Sequence, residues 1–415
     1  MGRIKTKRRT FALKRLLASR ANQALELDCL FENIERTDSS PKKMEESQFN
    51  FYNRSARSVI GNVRAFIENC YRNFPEEERH AIRSRIRSPN DIDFESSIFE
   101  LILHEALVRE GCILTPHPEL PNGSDKRPDF SVITSTGDRF YLEATVVSVT
   151  SSEENGANGR RARVLDALNS APHENFLILV TESGSPLGQP NGNQLCRNVH
   201  SWLDSLAVEE LCSEITSSNY KLPTFQWSDQ GWRLKIKAWP LNPQSRGKST
   251  SLIGSGSIPS PKGDATQSIH KNIKKKARKY GDLDAPLVIA VNVLAGGVSE
   301  INEDEALLGK KAFVVSGGAR SITMERVKPE GAWLGNSGVQ GLRCSAAWIF
   351  NNLRVSSLAE ASSTVYFHPW ATNPAPSFLE RFTHATVENS DFVRSERVEL
   401  RQTLGLGAGW PREAS

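Results

Sequence analysis

The sequence predicts an α/β (α+β) fold in which helices flank a central mixed sheet and a helical region precedes it. Three observations predict this fold. An apolar helical pattern over residues 94–111 is followed by three strand patterns. A basic helical segment and the apolar run PLVIAVNVL then restore a helix–strand alternation. The chain of 415 residues, 38% hydrophobic and 24% charged, is long enough for two or three packed units and too apolar for wholesale disorder.

Residues 1–90 are predicted to form a basic, helical N-terminal region. Apolar residues recur at helical spacing, for example from Val59 to Ile67. The first twenty residues carry eight Lys or Arg side chains and no acid, although the net charge of the chain is only +4. Such an arm attracts polyphosphates, and a solvated terminus, a transit peptide or a myristoylation signal are the alternatives.

The elements that follow are a buried helix and three short strands. FESSIFELILHEALVREG is apolar on most faces and ends at Gly111, so it predicts a helix buried on several sides. CILTP predicts a strand, and a loop rich in Pro and Gly follows it. DFSVIT and RFYLEATVVSV predict two strands joined by a turn at 136–138. The short turn makes these two strands antiparallel neighbours.

The later elements are less regular. SSEENGANG (151–159) predicts a loop, residues 160–168 a helix, and residues 224–241 a β-hairpin. In the hairpin, tryptophans alternate with cations, which suits stacking on single-stranded nucleic acid, although such tryptophans more often pack in a core. Residues 243–266 predict a flexible connection, and a helix with five lysines comes next.

Two carboxylates stand out on the paired strands. Asp129 opens one strand and Glu143 lies inside the next. An acid flanked by apolar residues in a strand costs free energy unless it is paired or bound to a metal. Mg²⁺ prefers oxygen ligands and usually takes one or two carboxylates. The pair therefore predicts a metal site, with a structural ion pair at Glu143 as the alternative.

Residues 94–145 resemble the PD-(D/E)XK nuclease superfamily, which has the restriction-endonuclease-like fold. The resemblance consists of Glu100 eleven residues before Gly111, the Pro128-Asp129 pair, and Glu143. It covers about fifty residues, an eighth of the chain. It implies a nuclease-like core over 91–295 with an insertion at about 151–265. Residues 296–415 would then form a C-terminal region packed on that core.

The resemblance implies a metal-dependent endonuclease that hydrolyses DNA, in restriction or host defence. Asp129 and Glu143 would bind Mg²⁺ or Mn²⁺ together with the backbone carbonyl of Ala144. Glu100 would reach the site from its helix, directly or through water. His104, one turn further on, could face the same site, although a lone core histidine is more often structural. Enzymes of this fold often dimerise, so a homodimer is compatible with the resemblance.

The chain departs from the family pattern at Thr145, where a lysine is expected near the attacking water. One interpretation is that a cation from elsewhere replaces it. The other is an inactive fold that binds nucleic acid, or a structural subunit of a complex. The candidate cations are Lys126, Arg127, Arg160, Arg161, Arg163, Lys275, Lys276 and Lys279. The residues predicted to contact nucleic acid are Lys126, Arg127, Lys275, Lys276 and Lys279.

The spacing of the cysteines and the hydropathy of the chain indicate the cellular compartment in which the protein is expected. The six cysteines form no C-x-x-C pair, which predicts reduced thiols in a cytoplasmic protein and excludes a zinc ribbon. No apolar run approaches the ~20 residues that a membrane span needs, so no membrane partner is expected.

Overall fold

The structure is a computed structural model that describes residues 29–148, 152–214, 221–249, 251–254, 264–295, 298–315, 322–389 and 391–412. The predicted basic arm lies outside the described residues. The chain divides into two compact units. Unit 1 comprises Met1–Ser39, Ser47–Val147 and Asp264–Ser415, and unit 2 comprises Ser40–Glu46 and Ser148–Gly263.

The described chain begins with four helices and three strands, alternates between helices and strands in its middle part, and is mostly strands from Lys310 onwards. The α-helices are α1 (Gln48–Arg54), α2 (Ser58–Asn73), α3 (Glu76–Ile86), α4 (Asp91–Arg109), α5 (Ser152–Asn169), α6 (Gly192–Asp204), α7 (Val208–Glu214), α8 (Ala265–Ala277), α9 (Glu300–Leu308) and α10 (Leu400–Thr403). The strands are β1 (Ile113–Pro116), β2 (Phe130–Ile133), β3 (Arg139–Ser148), β4 (Phe176–Ser183), β5 (Thr224–Asp229), β6 (Trp232–Pro240), β7 (Leu287–Leu294), β8 (Lys310–Val315), β9 (Ile322–Lys328), β10 (Leu334–Gly335), β11 (Gly338–Val339), β12 (Ala346–Asn351), β13 (Ser362–Phe367), β14 (His384–Glu388) and β15 (Asp391–Ser395). Two short 3-10 helices span Val355–Glu360 and Ser377–Arg381.

Unit 1 is built on an eight-stranded mixed sheet in the order β1-β2-β3-β7-β12-β13-β14-β15. The pairs β1–β2 and β2–β3 are antiparallel, whereas β7–β12 is parallel. Further along, β12–β13 is antiparallel and β13–β14 parallel. Helices cover both faces of this sheet. The predicted fold class, a central mixed sheet flanked by helices, is therefore confirmed.

Strand β3 faces two different cores because successive side chains in a strand point to opposite faces. Phe140 and Leu142 pack in the core that contains α4. Tyr141 and Val147 pack in the core that contains α8 and α9. Glu143 has the same parity as Tyr141, so the strand directs its carboxylate towards the α8 side of the sheet.

Helix α4 is the predicted buried helix. Asn90 caps its first turn by accepting a hydrogen bond from the Ile92 N–H, and Asp91 and Asp93 complement the positive end of the helix dipole. Its side chains are buried continuously over residues 97–107. Gly111 follows with φ +80°, the left-handed conformation that ends a helix at low cost in a glycine.

Unit 2 contains a three-stranded antiparallel sheet in the order β4-β6-β5. The predicted hairpin over 224–241 corresponds to β5 and β6. The prediction of a loop at 151–159 is wrong, because α5 begins at Ser152. Buried Val164, Leu165 and Leu168 anchor this helix in the core of unit 2. Tertiary packing of this kind outweighs the low helix propensity of Gly156 and Gly159.

None of the described helices is long and apolar enough to cross a bilayer.

Candidate active site

Two acids meet where β2 and β3 begin to separate. The register pairs Phe130 with Leu142, so the next step along the ladder places Asp129 opposite Glu143. The Ala144 N–H donates to Asp129 Oδ2 at 2.6 Å, which fixes the Asp129 side chain against β3. Asp129 is partly buried and Glu143 is fully buried. The expected proximity of these carboxylates follows from the strand pairing.

Three donors from one segment converge on Glu143. Lys276 Nζ lies 2.5 Å and Lys279 Nζ 2.8 Å from Glu143 Oε1. The Tyr280 hydroxyl donates to Glu143 Oε2 and lies 3.1 Å from the carbonyl oxygen of Arg127. Two ammonium groups and a phenol thus surround a single buried carboxylate.

Helix α8 delivers these donors because its apolar face is anchored in the core. Asp264 caps its N-terminus, and Ile269, Ile273 and Ala277 are buried against the sheet. The helix ends at Arg278, and the chain continues through Lys279 and Tyr280 towards β7. Lys276 lies in the last turn of the helix, and the turn that follows it brings Lys279 and Tyr280 to the same carboxylate.

Glu100 is held by a different cation. It is buried on α4, and its two carboxylate oxygens accept from the Nη atoms of Arg85 at 2.7 and 2.6 Å. Arg85 lies on α3. Glu100 is therefore a bidentate ion-pair partner, and it influences Asp129 through its charge.

The electrostatics of the site centre on Asp129. Burial, followed by the negative charges of Glu143 and Glu100, raises the pKa of Asp129 to about 7. The Ala144 N–H and the Lys276 ammonium oppose this shift without cancelling it. Burial and the charge of Glu143 raise the pKa of Tyr280, so its hydroxyl is a neutral donor. Lys276 and Lys279 face Glu143 and Arg85 faces Glu100, so the largest cause of the Asp129 shift is burial.

The remaining predicted residues of unit 1 are half-buried or exposed. Thr145 is half-buried, two positions beyond Glu143 on the same face of β3. Arg127 is exposed and pairs with Glu119 at 2.9 Å. Lys126 and Lys275 are exposed. Of the predicted cations in unit 1, the structure brings Lys276 and Lys279 to Glu143.

The sequence did not single out Tyr280 or Arg85. Tyr280 could have been found from its position four residues after Lys276, whereas nothing local connects Arg85 to Glu100. His104 is packed between the rings of Phe74 and Phe130. Burial lowers the pKa of His104 to about 4, so it is a neutral core residue.

The donor set fits a hard divalent cation. Within the described part of the chain, no group of three or more His, Cys, Asp or Glu side chains is arranged to hold a metal. Asp129 and Glu143 offer two carboxylates, the number that Mg²⁺ usually takes when waters and phosphate oxygens complete its shell. Burial, followed by the charge of the facing Glu143, raises the pKa of Asp129, and a bound cation would favour its ionised form. Asp129 and Glu143 are therefore the residues that would bind such an ion.

Comparisons with known proteins identified no relative of this chain. No family model, no curated protein and no solved structure matches the chain. The functional assignment therefore rests on the chemistry of the site.

Proposed function

We propose that this chain is a metal-dependent nuclease that hydrolyses phosphodiester bonds of DNA. Asp129 and Glu143 are the metal ligands, and the lysine that the motif lacks at Thr145 is replaced by Lys276. The observation that carries the proposal is the 2.5 Å contact between Lys276 Nζ and Glu143 Oε1, beside Asp129. The DNA substrate, the restriction or defence setting and a homodimer are proposed from the family resemblance.

The chemistry follows from the charges. A divalent cation bound by the two carboxylates would hold the scissile phosphate and lower the pKa of an attacking water. Lys276 and Lys279 supply fixed positive charge where negative charge develops on the phosphate. Tyr280 holds the second oxygen of Glu143 and so fixes its orientation. The Ala144 amide fixes Asp129 in the same way.

A second candidate is a protein that binds nucleic acid without cutting it. Both oxygens of Glu143 already accept hydrogen bonds within the chain. A carboxylate satisfied in this way can remain a structural ion pair. Under this alternative, Thr145 marks the loss of catalysis and the lysines of α8 contact phosphates.

Cleavage assays separate the two candidates. Supercoiled plasmid and circular single-stranded DNA are incubated with Mg²⁺ or Mn²⁺ and wild-type protein, Asp129→Asn or Glu143→Gln. Glu303→Gln is the matched control, because Glu303 is also buried and also accepts from a tyrosine. We expect wild type and the control to cut. We expect each site variant to lose roughly 10²–10⁴-fold in rate.

Retained folding of each variant is checked by circular dichroism. If wild type cuts neither DNA but still binds it, the binding protein is the better description. Cleavage that persists unchanged in Asp129→Asn would contradict the proposed metal site.

A further inference from the structure

The three-stranded sheet of unit 2 has one face packed and one face open. Helices and apolar side chains cover the inner face, where Trp232, Leu234, Ile236 and Ala238 of β6 are buried. The intervening residues of β6 point the other way, and their burial alternates accordingly. A cavity of about 560 Å³ lies on this sheet, and its lining includes Thr181, Gln226 and Lys235 as well as the acid Glu182.

The open face carries a row of cations along its central strand. Arg233, Lys235 and Lys237 occupy alternate positions of β6, so neighbouring charges are spaced by two residues, or about 6.8 Å. This spacing is close to that of successive phosphates along an extended nucleic-acid strand. Arg233 and Lys235 are exposed and Lys237 is half-buried.

Polar and apolar side chains, without acids, flank this row. The register places Ser183, Thr181 and Leu179 of β4 on one side of the three cations. It places Ser228, Gln226 and Thr224 of β5 on the other side. Among the outward side chains of these three described strands, none is acidic. Glu182 of β4 has the opposite parity and accepts from the buried indole of Trp232.

An exposed tryptophan ends the row. Trp239 is the next outward residue of β6 after Lys237, and its side chain is 44% exposed. Its cross-strand neighbour is Leu177. The three tryptophans of the hairpin thus differ. Trp232 is buried, Trp227 packs edge-on against it at 6.0 Å between ring centroids, and Trp239 lies on the open face.

We propose that this open face binds single-stranded nucleic acid. Arg233, Lys235 and Lys237 contact consecutive phosphates, and a base stacks on Trp239. Stacking requires an unpaired base, which a duplex does not offer, whereas the phosphate contacts alone would suit any polyanion. The cations therefore favour a polyanion, and the exposed indole of Trp239 favours one with unpaired bases, which is a single strand. The proposal stands apart from the cleavage site and does not depend on it.

Fluorescence anisotropy of the full chain tests this surface. The probes are labelled oligothymidylate, oligouridylate and a mixed-sequence duplex, all measured in EDTA so that binding is separated from metal-dependent cleavage. We expect Trp239→Ala to weaken single-strand binding about 5–150-fold and Trp239→Phe to retain most of it. The plot of log K against log salt has a negative slope. Replacing Arg233, Lys235 and Lys237 together by Gln should reduce the magnitude of that slope by about 2.

Matched controls are Arg197→Gln, which removes an exposed cation from α6, and Trp370→Ala, which removes a tryptophan that is 41% exposed. Both should bind like wild type. Weakening confined to the face variants, with oligothymidylate or with oligouridylate, supports the proposal and shows whether the strand is DNA or RNA.

Two results would overturn it. One is unchanged single-strand binding by face variants that melt like wild type in circular dichroism. The other is that wild type binds duplex and single strands with equal affinity and that Trp239→Ala weakens both by the same factor.

Discussion

Glu143 and Glu303 are two buried glutamates of unit 1 that each accept a hydrogen bond from a tyrosine, yet their surroundings differ. Glu303 accepts from Asn351 Nδ2 at 2.6 Å through one oxygen and from the Tyr366 hydroxyl through the other. The nearby guanidinium of Arg394 is engaged by Asp304 at 2.6 Å. The Tyr366 hydroxyl also contacts Arg394 Nη2 and so links the two parts of this cluster.

The surroundings of Glu143 contain charged donors and a second acid. Two lysines share one of its oxygens, and a second acid, Asp129, stands directly opposite. The pKa of Asp129 is raised to about 7, first by burial and then by neighbouring negative charge. A buried glutamate alone therefore does not mark a functional site. Two lysines on one oxygen and a facing acid with a raised pKa distinguish Glu143 from Glu303.

The largest effect that we expect is on the rate of DNA cleavage when Lys276, one of the charged donors to Glu143, is removed. We predict that Lys276→Met lowers the rate of DNA cleavage by roughly 10²–10³-fold, because a fixed positive charge near the reacting phosphate is removed. Lys271→Met, on the exposed side of the same helix, is the control and should cut normally. The rates are measured on the plasmid substrate. Equal rates in the two variants would exclude Lys276 as the replacement cation.

A second prediction concerns stability and pH at Asp129. The unfolded chain ionises this acid near its ordinary pKa of 3.8, whereas the folded chain keeps the proton up to about pH 7. Stability is therefore lost as the pH rises between these values. Asn cannot ionise and still accepts from the Ala144 N–H. We predict that Asp129→Asn raises the free energy of unfolding at pH 8 by roughly 2–4 kcal/mol.

Urea unfolding in EDTA at pH 4, 6 and 8 measures this gain, which should disappear at about pH 4. Asp125→Asn, an exposed acid in the same loop, serves as the control and should change little. A gain that is the same at every pH would contradict the assigned pKa of Asp129.

The smallest expected effects come from the two tyrosines. Tyr366→Phe leaves one oxygen of buried Glu303 without its donor, and we predict a loss of roughly 1–3 kcal/mol. Tyr280→Phe also leaves one oxygen of Glu143 without its donor, but we expect a cost of only about 1 kcal/mol, because the charges of Lys276 and Lys279 still stabilise the carboxylate, whereas Glu303 keeps the neutral Asn351 amide. Urea unfolding at neutral pH compares them. A larger loss in Tyr280→Phe would mean that Glu143 depends on its tyrosine more than Glu303 does.

The parts of this site that the sequence could predict are those encoded locally. A short turn joins β2 to β3, so pairing of their residues, and hence the proximity of Asp129 and Glu143, follows from the strand pattern. Helix α4 was visible from its apolar run and its closing glycine. Both inferences require contacts between residues fewer than twenty positions apart.

The remaining parts depend on contacts that no local pattern specifies. Lys276 lies 133 positions from Glu143 in the chain and was one of several candidate cations. Packing of α8 on the sheet selects it, and the sequence shows only that the helix is basic. Likewise, the pairing of Glu100 with Arg85 depends on how α3 and α4 pack together. The helical start of α5 was missed because glycines obscured its apolar face.

Binding of Mn²⁺ tests most directly the claim that Asp129 and Glu143 form a cation site while Glu303 does not. Unlike cleavage, it requires no knowledge of the substrate. Electron paramagnetic resonance of free Mn²⁺, titrated at pH 8 with wild type, Asp129→Asn, Glu143→Gln and Glu303→Gln, measures it. We predict one site per chain in wild type and Glu303→Gln, and its loss in the other two. Absence of binding to wild type at millimolar Mn²⁺, or binding that survives Asp129→Asn, would contradict the claim.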